Sequence, residues 1–414
     1  MVEIRTLNSG VKVVLEKLEY VKSAAFGVWC HTGARNEEKF NSGVSHFIEH
    51  MMFKGTEKRT AKDIAEDMDK IGAQFNAFTG KEATCYYVKA TSENIYSGAD
   101  IILDMLNNSL FDSREMTRER MVIKEEMKMT YDQPDDLVHE EATDLVFKGT
   151  PLGKSIIGTK TSLNNITRNV MVEYRDKNYT KDSIVVSVVG NFDPDEMCKF
   201  LEDKFTNFRD KKEVLKEESL PYERTLKVIK KDIQQSHIAL STKGLKISDE
   251  NTVNLQLLSS IMGGTMSSRF FQNIREEKGL AYSVYSMASS YSSDGLFLIY
   301  AGVAHDKINK ALDAVKYELD KLDKESVSIE ELNKAKEQAK SSYAFSQENI
   351  TSRMFANGKD LTLLGRVRSM DEILDSINKA SIKSLDEVKG LITNPESYTV
   401  VIATDKKRDL SKLW

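Results

Sequence analysis

The sequence has 414 residues, which is enough for two or more domains with hydrophobic cores. Apolar residues make up 40% of it and charged residues 30%, as in an ordinary soluble globular protein. Its 59 basic and 64 acidic residues give a net charge of −5, so composition argues against a nucleic-acid-binding protein.

The sequence has no feature typical of export or of a membrane span. Residues 1–7 lack the basic start and the long apolar stretch of a signal peptide, and no segment approaches the roughly 18 apolar residues of a transmembrane helix. Cys30, Cys85 and Cys198 are odd in number and far apart, which predicts buried, reduced thiols rather than disulfides or a metal site. We therefore expect a cytoplasmic protein that does not bind a membrane.

The first half of the chain alternates between strand-like and helix-like segments. The turn signal Asn8-Ser9-Gly10 lies between two β-rich runs and predicts a hairpin of residues 2–6 and 11–17. Further strands are predicted over 23–30, 75–79, 83–87 and 182–190. Helices are predicted over about 42–55, 61–71, 92–111, 113–131, 136–147 and 194–205.

The same order of elements recurs after a highly charged segment at residues 209–221, which we interpret as a linker. Beyond it the pattern predicts a strand at 227–241, a helix at 253–262, paired strands at 282–290 and 295–303, and a helix at 306–322. We therefore predict an α+β fold of two similar domains, 1–208 and 222–414, each with a mostly antiparallel sheet packed with helices.

The segment around residues 45–53 contains two histidines and a carboxylate within five positions. On a helix, which turns by about 100° per residue, His46 and His50 lie on one face, one turn apart, with Glu49 beside them. Two imidazoles so placed could bind one metal ion. Because a catalytic zinc site usually has three protein ligands and one open position, a third ligand is expected from another element.

The helix predicted over 113–131 offers candidates for that third ligand. Glu119 and Glu126 are seven residues apart and therefore lie on one stripe of the helix, two turns apart. One could bind the metal while the other accepts a hydrogen bond from the far nitrogen of a histidine. The alternative is that both belong to a solvated face together with Lys124 and Lys128.

The residues around the two histidines resemble the pitrilysin/insulinase family of zinc peptidases, in its branch of short, processing-peptidase-like chains. The H-x-x-E-H spacing is the inverted zinc-peptidase signature, and residues 43–56 match the family nearly throughout. The likeness extends to Asn76-Ala77-Phe78-Thr79, to 151–153 with 158–159, and to 268–282 in the second half. It covers nearly the whole chain.

This resemblance implies a role for several residues. The family's third ligand lies in an E-R-x-V-I-x-x-E segment, which implies that Glu126 completes a site for one zinc ion per chain with His46 and His50, and that Glu119 supports a histidine. The neighbouring Glu125 is an alternative ligand that fits the spacing from Glu119 less well.

The same resemblance implies groups that act on the peptide bond. Glu49 would serve as the general base and then as the acid for the leaving amine. The family's Arg and Tyr, seven positions apart, correspond to Arg275 and Tyr282. Tyr282 would donate a hydrogen bond to the developing oxyanion, and Arg275 would bind the substrate backbone or orient Tyr282.

Substrate binding is expected at the strand that follows the second predicted helix. Its residues Phe75, Asn76, Ala77 and Phe78 would bind the peptide as an additional strand, which recognises backbone more than side chains. Asp136 and Glu140 lie one helical turn apart; the resemblance to processing peptidases implies that they bind a basic residue near the cleaved bond, and the alternative is that they are solvated carboxylates. His31 and His139 are interpreted as ordinary polar residues.

The prediction is a zinc-dependent endopeptidase that cleaves unfolded peptides or precursor segments inside a closed chamber. Because the zinc motif and the Arg–Tyr pair are both intact on one chain, the resemblance implies a homodimer in which each site takes its metal from one subunit and Arg275 with Tyr282 from the other. The alternative is a non-catalytic scaffold or partner subunit of the same fold, which would have no need of these residues.

Overall fold

The computed structural model describes residues 2–206, 208–209, 222–406 and 414, and these form two compact units. Unit 1 comprises the described residues of Met1–Met127, Lys154–Glu217 and Ala344–Arg368, and unit 2 those of Lys128–Gly153, Glu218–Tyr343 and Ser369–Trp414. Apart from Arg209, the predicted linker 209–221 lies outside the described residues, so the domain bounds at 208 and 222 stay a prediction.

Two sheets contain the strands of the part of the chain that the structure describes. The strands are β1 (Val2–Thr6), β2 (Lys12–Lys17), β3 (Ser23–Cys30), β4 (Gln74–Thr79), β5 (Thr84–Thr91), β6 (Ile184–Gly190), β7 (Leu226–Lys230), β8 (Ser236–Lys243), β9 (Ala281–Ser290), β10 (Gly295–Val303) and β11 (Thr399–Thr404). Unit 1 has the strand order β1-β2-β6-β3-β5-β4, and unit 2 the order β7-β11-β8-β10-β9. The β2–β6 and β7–β11 pairs are parallel, and the other described pairs are antiparallel. This repeated arrangement confirms the predicted α+β fold.

Helices pack on both sheets. They are α1 (Val44–Met52), α2 (Ala61–Lys70), α3 (Ile95–Asn108), α4 (Ser113–Asp132), α5 (Pro134–Val146), α6 (Lys160–Asn165), α7 (Arg168–Asn178), α8 (Pro194–Phe205), α9 (Thr252–Ser259), α10 (Ile308–Glu325), α11 (Ile329–Glu348), α12 (Ile350–Leu364), α13 (Met370–Lys379) and α14 (Ile382–Thr393). Two π-helical segments, Ser260–Gly264 and Phe271–Glu277, follow α9. Nowhere in the described ranges is a helix both long and apolar enough to cross a bilayer.

The prediction of one strand over residues 227–241 is wrong. The structure has two strands there, β7 and β8, and β11 lies between them in the sheet. The interruption at 231–235 has the sequence Lys-Asp-Ile-Gln-Gln, which contains neither glycine nor proline. Because these two residues are the strongest turn signals, the local sequence gave little indication of a break.

The cysteines follow the prediction only in part. Cys30 and Cys85 lie on β3 and β5, are fully buried and form no disulfide. Cys198 is only half-buried on the amphipathic helix α8, where its sulfur lies 3.7 Å from Nη1 of Arg5.

In each unit, a helix from the other half of the sequence packs on the sheet. In unit 1, α12 lies against β3 and β6, where Ser187 Oγ donates to the carbonyl oxygen of Met354 at 2.9 Å. Arg353 forms an ion pair with the buried Glu16 of β2, and Asn357 donates to the same carboxylate at 3.0 Å. In unit 2, α5 lies against β8 and β11 in the same manner. Each sheet is thus completed by residues distant in sequence.

Close packing between α12 and β3 depends on Gly358. A Cβ atom at this position would lie 2.1 Å from Nε1 of Trp29, whose ring is buried and packs edge-on against Phe78 and Phe355. Contacts this short force the ring or the helix to move.

We expect Gly358→Ala to lower the melting temperature, because overpacking costs about 1–3 kcal/mol and outweighs the gain in helix propensity of about 1 kcal/mol. Gly390→Ala is the matched control, since Gly390 also lies within a helix, α14, and a Cβ there meets nothing within 4 Å. The control should raise the melting temperature slightly. Thermal denaturation followed by circular dichroism compares the two, and equal shifts would contradict the packing argument.

Candidate metal centre

The two motif histidines lie on the polar side of helix α1. Its buried residues Phe47, Ile48, Met51 and Met52 belong to the core of unit 1 and fix the rotation of the helix. His46 and His50 then project from successive turns, with their ring centroids 4.7 Å apart. The amphipathic pattern of the segment therefore sets the direction of both imidazoles.

Helix α4 brings a carboxylate to the same place. Oε1 of Glu126 lies 3.7 Å from Nε2 of His46, and Oε2 lies 3.6 Å from Nε2 of His50. One ligand atom from each of these three residues lies within 4.8 Å of the others. Glu126 is half-exposed, so the site is open to solvent on its side.

A second glutamate of α4 contacts the other ring nitrogen of His50, Nδ1. Glu119 is buried, and its Oε2 accepts a hydrogen bond from Nδ1 of His50 at 3.1 Å. Its other oxygen, Oε1, lies 2.7 Å from Nζ of Lys54, which follows α1 in the chain. The hydrogen bond at Nδ1 leaves Nε2 of His50 with its lone pair directed towards Glu126. Lys54 was not singled out from the sequence, whereas Glu119 was.

These residues fit a zinc ion. Separations of 3.6–3.7 Å are too long for hydrogen bonds, but suit atoms that each lie about 2.0–2.2 Å from a common ion. Burial, with a smaller contribution from the charge of His50, lowers the pKa of His46 to about 4. His46 is therefore neutral at physiological pH, and only the neutral form binds a metal.

The general-base candidate Glu49 lies on α1 beside this cluster. Burial raises the pKa of its carboxyl group, and a hydrogen bond donated by Thr79 Oγ1 to Oε2 opposes that shift. From the sequence, Thr79 was expected only as part of the binding strand and not as a partner of Glu49. Residues alternate between the two faces of a strand, and Phe75, Ala77 and Thr79 share the half-buried face of β4, so this periodicity could have suggested that Thr79 also points towards α1.

The predicted binding strand β4 is the outermost strand of its sheet in the described chain. Phe75 and Ala77 lie on the half-buried face, whereas Asn76 and Phe78 lie on the more exposed one. The backbone N–H of Ala77 donates to the side-chain oxygen of Asn76 at 2.8 Å. The ring of Phe78 packs edge-on against Trp29 and Phe355.

Unit 2 holds the remaining candidates. The guanidinium of Arg275 lies 5.4 Å from the ring centre of Tyr282 and 4.7 Å from that of Phe271. Tyr282, the second residue of β9, is 77% exposed. Asp136 is exposed and Glu140 half-buried on α5, one turn apart as predicted. The structure thus brings Arg275 and Tyr282 together within unit 2, and the metal-binding candidates together within unit 1.

The histidines to which we gave no role have ordinary partners. His139 stacks on Tyr300 with ring centroids 5.0 Å apart, and its Nε2 lies 2.9 Å from the hydroxyl oxygen of Tyr285. His237 lies 2.8 Å from the hydroxyl of the same Tyr300. This stack of rings joins α5 to the sheet of unit 2.

We expect Glu119→Gln to weaken zinc binding about 10–100-fold, the usual effect of losing a carboxylate that orients a metal-bound histidine. The amide can still accept from His50, but it loses the charge that balances Lys54. Competition with a chelating dye measures the affinity. Glu115→Gln, one turn earlier on α4, is the control, because Glu115 pairs with Arg118 and not with a histidine. Equal affinities of the two variants would contradict this role of Glu119.

The fold and the cluster together define a two-unit α+β protein with a candidate metal site of the inverted H-x-x-E-H type. Residues 12–160 match the family model described as insulinase (peptidase family M16), and residues 165–339 match the model described as the peptidase M16 inactive domain. The chain belongs to this family.

Relatives that match nearly the whole chain are named zinc proteases. The chain is 39% identical over 391 residues to the uncharacterized zinc protease YmxG of Bacillus subtilis, covering 94% of this chain and 95% of that protein. It is 36% identical over 408 residues to an uncharacterized zinc protease of Rickettsia felis, covering 98% of both.

Solved structures share the fold. A protease from Helicobacter pylori superposes with a TM-score of 0.89 at 20% identity, covering 98% of this chain and 99% of that one. A peptidase M16 inactive domain from Pseudomonas fluorescens superposes with a TM-score of 0.90 at 15% identity, covering 99% of both chains.

Proposed function

We propose that this protein is a zinc-dependent endopeptidase that cleaves unfolded peptides or precursor segments. The observation that carries the proposal is the convergence of His46, His50 and Glu126 on one point, with the half-buried carboxylate of Glu49 beside them. A non-catalytic scaffold protein would have no need of this arrangement. The relatives of this chain are named zinc proteases, which supports zinc-dependent cleavage of peptides.

The side chains have separate tasks in this reaction. A bound zinc ion would lower the pKa of a water molecule to near 7 and polarise the scissile carbonyl. Glu49 accepts the proton of the attacking water and later delivers it to the leaving nitrogen, and Thr79 holds one of its oxygens in place. Burial raises the pKa of Glu49, which favours uptake of the proton from the attacking water.

The outer edge of β4 is the proposed binding site for the peptide. An extended peptide would add to this edge as a further strand, and the backbone N–H of Ala77 would exchange its bond to Asn76 for one to the substrate backbone. Recognition through the backbone suits substrates of varied sequence, provided that they are unfolded. Asp136 and Glu140 are proposed to favour a basic residue near the cleaved bond.

Two measurements on the purified protein test this function. Metal analysis should find about one zinc ion per chain, and incubation with a diverse peptide mixture should give new termini that are absent with Glu49→Gln. A protein without zinc would instead favour the non-catalytic scaffold, a candidate suggested by the description of the model that matches residues 165–339. Zinc without cleavage of any peptide would contradict the endopeptidase proposal.

We further propose that the working form is a homodimer with its site completed in trans. In this arrangement one subunit supplies the zinc and Glu49, and the other supplies Arg275 and Tyr282 to bind the substrate and the developing oxyanion. Glu49→Gln and Arg275→Ala chains, each inactive alone, are mixed under conditions that exchange subunits. The mixture should recover up to about a quarter of the wild-type activity, because half of the dimers are mixed and each has one intact site. A mixture as inactive as its components would contradict the shared site.

A further inference from the structure

The N-terminus of helix α1 is capped by a residue outside the helix. Gly43 occupies the cap position with φ of +90° and has no side chain to accept from the first amides. Instead, Glu37 accepts from the backbone N–H of Gly43 through Oε2 at 2.6 Å and from that of Ser45 through Oε1 at 2.8 Å. Two amides that a helix leaves unsatisfied are thus bound by one carboxylate, at the end where the helix dipole favours negative charge.

This carboxylate is unusually enclosed. Glu37 is only 2% exposed, and burial raises its pKa to about 7 despite the two amide bonds. Nearby, Lys154 donates to the main-chain carbonyl oxygens of Arg35 and Glu37. The hydroxyl of Tyr174 lies 2.8 Å from Oγ of Ser45. Because the Glu37 side chain is buried and hydrogen-bonded, it occupies a fixed position. Its bonds to the amides of Gly43 and Ser45 therefore fix where α1 begins.

The same segment also binds the turn between β4 and β5. The amide of Ala34 donates to the carbonyl of Gly80 at 3.2 Å, and that of Arg35 to the carbonyl of Lys81 at 2.9 Å. The side chain of Arg35 forms a buried ion pair with Glu82. The backbones approach so closely that a Cβ atom on Gly33 would lie 2.3 Å from the oxygen of Gly80. The turn follows directly after Thr79.

We infer that residues 33–37, hereafter the α1 clamp, fix the metal-binding helix relative to the substrate-binding strand, and that Glu37 is the positioning residue within it. One end of the clamp holds the amides that precede His46, and the other holds the turn next to Thr79, which donates to Glu49. The clamp therefore sets the distance between the general base and the bound peptide. This role rests on the peptidase function proposed above.

The test is Glu37→Gln, which keeps the size of the side chain but replaces one accepting oxygen by an NH₂ group that cannot accept an amide. We expect kcat to fall about 10–100-fold with KM within about threefold of wild type, because displacement of catalytic groups by about 1 Å has effects of this size. Zinc affinity should fall, and deuterium exchange in peptides covering residues 40–52 should accelerate. Glu38→Gln is the matched control, since the exposed side chain of Glu38 lies outside the cap.

Deuterium exchange at the wild-type rate in residues 40–52 of a folded Glu37→Gln protein would overturn the inference. An unchanged kcat of that variant would also overturn it. If Glu37→Gln does not fold, Lys154→Met is measured instead and should show the same changes to a smaller extent. Wild-type kcat, zinc affinity and exchange in Lys154→Met would equally overturn the inference. Exchange and zinc affinity do not depend on peptide cleavage. A wild-type protein that cleaves nothing would therefore refute the proposed function while these two measurements still decide the clamp.

Discussion

The Glu49→Gln variant is expected to bind zinc like the wild type but to cleave peptides about 10³-fold more slowly. An amide cannot take up the proton of the attacking water, and loss of a general base typically costs 10²–10⁴-fold in rate. Glu49 is not needed as a ligand, because His46, His50 and Glu126 already supply three. The measurements are kcat with a fluorogenic peptide and zinc content by atomic emission.

The control for Glu49→Gln is Glu57→Gln. Glu57 follows α1 by a few residues and is exposed, so loss of its charge should leave kcat within about twofold of wild type. If Glu49→Gln retained more than a tenth of the wild-type kcat at full zinc occupancy, Glu49 would not be the base. If it lost its zinc, the fall in rate would say nothing about proton transfer, and the ligand set would need revision.

The second large effect is expected for Glu126→Gln, which should raise the zinc dissociation constant by more than about 100-fold. Removing a charged ligand should exceed the 10–100-fold effect of losing an outer hydrogen-bond partner. Activity should fall with it when zinc is limiting and recover in part when zinc is in excess. Chelator competition gives the affinity, and titration of the activity with zinc separates weaker binding from slower chemistry.

The neighbouring Glu125→Gln is the matched control for this ligand. Glu125 is exposed, whereas Glu126 approaches both histidines, although the two residues are adjacent and chemically identical. We expect the control to bind zinc within about twofold of wild type. The opposite result, with weak binding in Glu125→Gln and normal binding in Glu126→Gln, would mean that the ligand has been assigned to the wrong glutamate.

Local patterns were sufficient to predict much of the fold. The hairpin of β1 and β2, the strand β3 and the paired strands β9 and β10 appear close to their predicted bounds, because turn signals or long apolar runs mark them. The split between β7 and β8 was missed because the residues between them include neither glycine nor proline. The packing of α12 on unit 1 could not be predicted, since the amphipathic pattern of a helix identifies its apolar face but not the sheet against which that face packs.

The metal cluster was accessible from the sequence for a similar reason. His46, Glu49 and His50 are neighbours on one helix, and Glu119 and Glu126 repeat at helical spacing, so local periodicity grouped each set, whereas the family resemblance joined the two sets and singled out Glu126. The contacts that support these residues come from other segments of the chain. Thr79 reaches Glu49 across 30 residues, and Glu37 reaches α1 from an irregular loop. Contacts of this kind depend on tertiary structure, which single-sequence patterns do not record.

The packing of α12 has a consequence for biosynthesis. The strands of the first sheet are complete when the ribosome has added Gly190, but the helix that covers one face of that sheet ends at Leu364. At about 5–20 residues per second, the intervening residues take roughly 10 to 35 s to synthesise. During that interval the apolar face around Trp29 has no native cover. The nascent chain therefore exposes this apolar face once about half of it has been made, which is when a chaperone would protect it.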